Sequence, residues 1–189
     1  MTHLGSVEGT GVEGSDAPDE RALAGAATTP EGWATADLCD AHPDTARPLA
    51  PGFQDYGGRA VFEGIVSTVQ VRADYRPVLA ALQEEGHGRV LLVDGGGIRD
   101  RAILGERLLT MAHARGWAGV VVFGAVRDTR HTRTIPVGLR ALGTFPRRGD
   151  TAGPHARDVA VEVAGVRVVP GDRLYADTDG IVVLAAGAA

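Results

Sequence analysis

The sequence predicts a mixed α/β domain with a parallel strand–helix–strand core, and three observations carry that reading. Arg89-Val90-Leu91-Leu92-Val93 is an apolar run of strand length; Leu104, Leu108, Met111, Ala112 and Arg115 then recur at helical spacing; Gly119-Val120-Val121-Val122-Phe123 is a second apolar run. An unbroken apolar run reads as a strand covered on both faces, and a strand–helix–strand crossover joins parallel neighbours.

The elements follow in chain order. Residues 1–30 are rich in Gly, Ala, Ser, Thr, Pro and acids and have neither a two-residue nor a 3.6-residue apolar period, which predicts a disordered tail. The tail is placed at 1–33 and the folded domain at 34–189. Near Trp33, either Thr35 or Asp37 is expected to cap a short helix carrying Leu38, Cys39 and Ala41. Strands are expected over Arg59–Phe62 and over Ile65–Val71, the second from its alternation, after the turn signal Tyr56-Gly57-Gly58. Pro77–Leu82 reads as a helix ended by Gly86 and Gly88, and Gly116 is placed to end the amphipathic helix that starts near Leu104. Val159–Val163 and Val166–Val169 form a hairpin through Ala164-Gly165, and Ile181–Leu184 is a last strand.

Composition removes several chemistries. All 19 basic residues are arginine and none is lysine. Schiff-base aldolases, pyridoxal enzymes and Walker-type phosphate loops therefore have no amine to use. Carbanion chemistry here needs a metal or another cofactor. Cys39 is the sole cysteine, which excludes disulfide frameworks and multi-cysteine metal sites. The formal charge of −5 sits entirely in residues 1–33, so the body is balanced and offers no general reason to bind nucleic acid. No apolar run reaches the ~18 residues of a membrane span, and the first residues lack a signal peptide's basic and apolar blocks. A soluble, cytoplasmic protein is the expectation.

Chemistry-bearing residues cluster around the core. In open parallel sheets, ligands collect beyond the carboxyl ends of strands. There the sequence places Asp94-Gly95-Gly96-Gly97, then Gly124-Ala125-Val126-Arg127-Asp128, with Gly105-Glu106-Arg107-Leu108 at the intervening helix start. The amides of Arg107 and Leu108 suit a carboxylate, and Arg127 can clamp one in bidentate fashion. Asp128 offers the hard oxygen that Mg²⁺ prefers, while Glu106 is suited to hold a metal-bound water. Taken singly, each has a plainer reading: a surface ion pair, dipole matching in a first helical turn, a tight turn. His131 has two readings, a base or metal ligand and a solvated loop histidine.

These strings, with Thr35-Ala36-Asp37-Leu38-Cys39-Asp40, Tyr56-Gly57-Gly58-Arg59-Ala60 and Pro170-Gly171-Asp172-Arg173-Leu174-Tyr175-Ala176-Asp177 in the same order, resemble the RraA-like family over residues 34–185. That family includes regulators of ribonuclease E and metal-dependent 4-hydroxy-4-methyl-2-oxoglutarate aldolases. The resemblance implies a swivelling β/β/α fold, a homotrimer, and a crevice near a subunit boundary. It implies Asp128, with Glu106, as the site for Mg²⁺ or Mn²⁺ and Arg127 as the group holding substrate near the scissile bond. Gly105, Arg107, Leu108, Asp94, Gly95 and Gly96 would complete the binding site for a small 2-oxo acid. Aldol cleavage and oxaloacetate decarboxylation both leave a pyruvate enolate, which a divalent ion stabilises without an imine. The alternative implied partner is a ribonuclease E-type enzyme, although regulators can lack the acid after the arginine. Aldolase members tend to carry a further acid three residues beyond the Arg-Asp aspartate, where this chain has His131. A methyltransferase reading has no support, because the loop at 94–97 lacks the surrounding pattern for S-adenosylmethionine.

Overall fold

The computed structural model describes Met1 and residues 32–188; the expected tail therefore lies, for residues 2–31, outside the described residues. From Thr35 the chain forms α1 (Thr35–Ala41), β1 (Arg47–Pro48), β2 (Gln54–Asp55), β3 (Phe62–Gln70), α2 (Arg76–Leu82), β4 (Val90–Asp94) and β5 (Ala102–Leu104). It continues with α3 (Glu106–Ala114), β6 (Gly119–Val126), α4 (Thr129–Thr132), β7 (Gly138–Thr144) and β8 (Ala156–Arg157), then β9 (Val161–Val163), β10 (Val166–Val168), β11 (Arg173–Ala176) and β12 (Ile181–Leu184).

One mixed sheet runs β1-β12-β11-β3-β4-β6-β7-β2, with β5 beside β6 and β8 beside β3. The stretch β3-β4-β6-β7 is parallel, while β11, β12, β1 and β2 join antiparallel. Alternation along β4 and β6 divides the interior. Leu91, Val93, Val120 and Val122 pack with Leu82 of α2 and Leu108 and Leu109 of α3. Val90, Leu92 and Val121 pack with Val161, Val163 and Val168 of the β9–β10 hairpin and with Leu174 and Val183. Helices on one face and a second β layer on the other make the expected β/β/α arrangement, with the parallel strand–helix–strand core at its centre.

The local corrections have physical causes. Ala34, rather than Thr35 or Asp37, is the N-cap of α1. Thr35 is turned inward instead: its N–H and its hydroxyl each donate to Asp177, at 2.7 Å. The strand expected over Arg59–Phe62 does not form: Ala60 and Val61 lie in a bend, and Phe62 belongs to the long β3. The alternation read at 65–71 does not produce a half-exposed strand, because Ser67 and Thr68 are buried too. Their hydroxyls donate to Asp158 and to the Val159 carbonyl. Strand β7, absent from the sequence reading, carries only Leu139, Ala141 and Leu142 as apolar residues among Gly, Arg and Thr. Leu104 lies in β5, so α3 begins two residues later. Gly116 does end α3: its N–H donates to His113 and that of Trp117 to Ala112, a Schellman closure with Gly116 at φ +70°.

Two features of this packing yield stability predictions. The Phe62 ring lies on the backbone of Gly119 and Gly138; a Cβ on Gly138 would stand 2.1 Å from the ring. Gly138→Ala is expected to cost about 1–3 kcal/mol by overpacking, read from urea unfolding. Burial pushes the Asp177 carboxyl up, but the bonds from Thr35, Asp179 and Gly180 outweigh it and hold the group below its ordinary value. Its stabilisation is complete above the unfolded value of about 3.8 and is lost as the pH falls through the lower folded value. Asp177→Asn is expected to destabilise by about 1–3 kcal/mol at neutral pH. It also flattens the acid limb of an unfolding-versus-pH series.

Candidate active site

Strand β6 runs through the middle of the parallel stretch and delivers Arg127 and Asp128 at its carboxyl end. The exit is held by backbone: the Arg127 N–H donates to the Leu104 carbonyl at 2.9 Å, tying the end of β6 to the end of β5. Asp128 then adopts φ 58°, ψ 30°, a left-handed conformation that aspartate tolerates better than most residues, and its carbonyl accepts the first bonds of α4. This turn points the carboxylate back at the start of α3.

There Gly105, the N-cap of α3, is approached so closely that a Cβ on it would stand 2.4 Å from Asp128 Oδ2 and 3.1 Å from Arg127 Cγ. The Glu106 N–H donates to Asp128 Oδ2 at 3.3 Å, and Arg127 Nε lies 3.4 Å from the same oxygen. Both side chains are about one-third exposed, so they are anchored yet open to a ligand. Glu106 Oε2 is 3.5 Å from His131 Nδ1, which brings the histidine into the same group.

Of the residues read from sequence, the substrate-binding Gly105, Arg107, Leu108 and Arg127 and the expected metal ligand Asp128 line one cavity of about 50 Å³, together with Tyr75, Ala102, Ile103, Leu104 and Arg148. Glu106, Arg107 and Asp128 also border an open groove along α3 with Thr110 and Met111. The Leu108 N–H is used on the Gly105 carbonyl at 3.1 Å, while the Arg107 N–H has no acceptor among the described residues. One amide, not two, is thus free for an anion at the helix start. Asp94, Gly95 and Gly96 are not brought into that cavity's lining. The buried Asp94 carboxylate accepts from Gln70 and from the Gly96 N–H, and the Gly95 and Gly97 N–H groups both donate to the Phe123 carbonyl. The glycine turn is closed on itself. A larger cavity, about 350 Å³, lies apart from these residues, between α1, the segment 48–53 and Asp179–Val182.

The residues that sequence reading missed here are Tyr75, Arg148 and its neighbour Arg147. The tandem Arg147-Arg148 after Pro146 was a visible signal, but it points nowhere until β7 is known to end beside β6. Among the described residues no three His, Cys, Asp or Glu side chains converge as a metal cage. The Asp128–Glu106 pair fits the looser requirement of Mg²⁺ or Mn²⁺, which keep waters and take few protein oxygens. Among the described residues no helix is long and apolar enough to cross a membrane.

Comparison with known proteins identifies the family. The model of the RraA-like family, described as Aldolase/RraA, matches residues 35–183. A protein from Burkholderia multivorans with the provisional name 4-hydroxy-4-methyl-2-oxoglutarate aldolase is 48% identical over 81% of this chain and 96% of its own. The solved RNA-processing inhibitor RraA from Thermus thermophilis is 46% identical, with a TM-score of 0.77 over 80% of this chain and 92% of its own. A Geobacillus kaustophilus structure named S-adenosylmethionine:2-dimethylmenaquinone methyltransferase is 44% identical, with a TM-score of 0.79 over 82% of this chain and 96% of its own. On these matches, the chain belongs to the RraA-like family.

Proposed function

We propose that this chain is a divalent-metal-dependent lyase that cleaves 4-hydroxy-4-methyl-2-oxoglutarate-type 2-oxo acids to pyruvate and also decarboxylates oxaloacetate. The observation that carries the reading is the convergence of Arg127 and Asp128 on the start of α3, where the Glu106 N–H donates to Asp128 and Arg107 lines the same cavity. Relatives at 48% and 45% identity that bear the provisional aldolase name support it.

Aldol cleavage and decarboxylation beside a 2-oxo acid share one difficulty, an electron pair left on the pyruvyl fragment. Asp128 and Glu106 are the residues that would hold Mg²⁺ or Mn²⁺, whose positive charge supplies the Lewis acidity for that fragment. The chain provides the rest. The Arg107 N–H and the positive end of α3 receive the substrate's carboxylate. Arg127 sets a permanent guanidinium beside the reacting carbons. Because its N–H groups are used internally, the glycine turn has no donors to offer S-adenosylmethionine, and the methyltransferase name of the Geobacillus structure is not carried over.

Pyruvate release from oxaloacetate tests this directly. Release is expected to require added Mg²⁺ or Mn²⁺ and to stop with a chelator. Arg127→Ala and Asp128→Ala should each lower kcat/KM by about 10²- to 10³-fold, in line with loss of a transition-state charge donor. Gly105→Ala is expected to fall as far, with an unchanged circular dichroism spectrum, because its methyl would displace Asp128 Oδ2. Equal, metal-independent rates in all samples would overturn the lyase reading. The likeness to the Thermus RNA-processing inhibitor supports a second reading, an RraA-type regulator that binds a ribonuclease E-like enzyme. Inhibition of such an enzyme by the Asp128→Ala variant, undiminished, is the result that would favour it.

A further inference from the structure

Cleavage beside a 2-oxo acid is complete only when a proton reaches the carbon left with the electron pair. The cavity at the carboxyl end of β6 offers few sources for it. Beyond aliphatic side chains and Gly105, its walls carry Arg107, Arg127, Arg148, Asp128 and Tyr75. Arginine stays protonated throughout the working range and so moves no proton. Asp128 is engaged as the expected metal ligand, and its Oδ2 accepts the Glu106 N–H. Glu106 borders the open groove along α3 instead, with His131 3.5 Å from its carboxylate, and neither lines the cavity. Tyr75 is left as the wall side chain that can donate a proton and take one back.

Its hydroxyl is also unclaimed. Of the three tyrosines, Tyr56 donates its hydroxyl to Gln54 at 2.9 Å, and Tyr175 lies edge-on to Trp33 with the Arg173 guanidinium over its ring. The half-buried Tyr75 makes no side-chain hydrogen bond among the described residues. Buried phenols usually find a partner, so one left open at a cavity wall is available to whatever enters.

The ring itself is fixed. The Tyr75 N–H donates to the Gly149 carbonyl at 3.1 Å, and the Tyr75 carbonyl accepts from Leu79 at 2.9 Å, which sets the residue at the start of α2. Asp74, just before it, is buried and grips the Arg76 guanidinium through two bonds of 2.8 and 2.9 Å. The ring packs against the interior cluster that includes Leu104 and Leu108, and the Arg148 guanidinium lies 4.7 Å over its face. Packing and the cation–π contact hold the ring without using its hydroxyl.

We propose that Tyr75 is a catalytic residue whose phenol delivers the proton that turns C3 of the pyruvyl fragment into the methyl group of pyruvate. The inference rests on the lyase reading and assigns a proton step within it. In aldol cleavage and in oxaloacetate decarboxylation alike, the C3–C4 bond breaks and its electron pair stays on C3. The Tyr75 O–H bond then breaks as a C3–H bond forms, and the phenolate regains a proton from water. Run backwards, the same group removes a proton from the methyl of bound pyruvate.

The test follows the methyl signal of pyruvate by proton NMR in D₂O, with the full-length protein and Mg²⁺, alongside CO₂ release from oxaloacetate. Tyr75→Phe keeps the ring and removes only the hydroxyl, so its circular dichroism spectrum is expected to match the wild type. Methyl exchange should fall about 10²- to 10⁴-fold in this variant, the range for loss of a general acid–base group. CO₂ release is expected to fall less, because cleavage of the C3–C4 bond precedes protonation. Undiminished exchange in Tyr75→Phe, or equal falls in exchange and CO₂ release, overturns the assignment and leaves the lyase reading standing. A wild type that releases CO₂ without exchanging the methyl protons overturns the assignment in the same way. A wild type that does neither sinks the lyase reading and the assignment with it.

Discussion

The site depends on one close approach: the carboxylate of Asp128 lies where a side chain on Gly105 would have to be. Removing the Cβ at 105 lets the end of β6 reach the first turn of α3. The left-handed turn at Asp128 then folds its carboxylate back onto the Glu106 N–H. A carboxylate at a helix N-terminus is stabilised by the local dipole, so the arrangement holds in the absence of ligand. Its consequence is functional. The same contact sets Arg127 at the mouth of the cavity, and it leaves the Arg107 N–H as the free donor of the helix start.

The sheet supplies the rigidity behind that contact. Strands β4 and β6 are buried almost throughout, with helices on one side and the hairpin layer on the other. Side chains emerging at their carboxyl ends therefore start from a backbone that cannot shift without disturbing both interior clusters. The ends of β5 and β7 meet the end of β6 through main-chain bonds from Arg127 to Leu104 and from Phe145 to Val126. Three segments distant in sequence thus present arginines to one opening, and their like charges are tolerated because the side chains are partly exposed to screening solvent.

Much of this was legible from residue order. The apolar runs at 89–93 and 119–123 carry the parallel core because a strand covered on both faces needs no polar alternation. Arg127 and Asp128 were legible because a strand of that kind must deliver its next residues to the sheet's edge. Asp94, Gly95 and Gly96 follow the neighbouring strand by the same rule, yet their turn closes on its own amides. Pattern alone does not tell a turn that satisfies itself from one that waits for a ligand. Strand β7 escaped because Gly138, Arg140 and Gly143 break its apolar pattern. Its burial comes from neighbours, with Phe62 lying over the Gly138 backbone and the Arg140 guanidinium bonding the carbonyls of Ala60 and Asp177.

By itself, the sequence determined the chemistry available: no lysine for an imine, no cysteine cluster for a tight metal site, an acid and an arginine adjacent at a strand end. Those are matters of inventory and period, which no folding step alters. Tertiary structure decided which of them meet. The distance from Gly105 to Asp128, the closure of the glycine turn, and the gathering of Arg101, Arg147 and Arg148 beside Arg127 all depend on how three loops pack, because contacts between residues far apart along a chain leave no local periodicity to read.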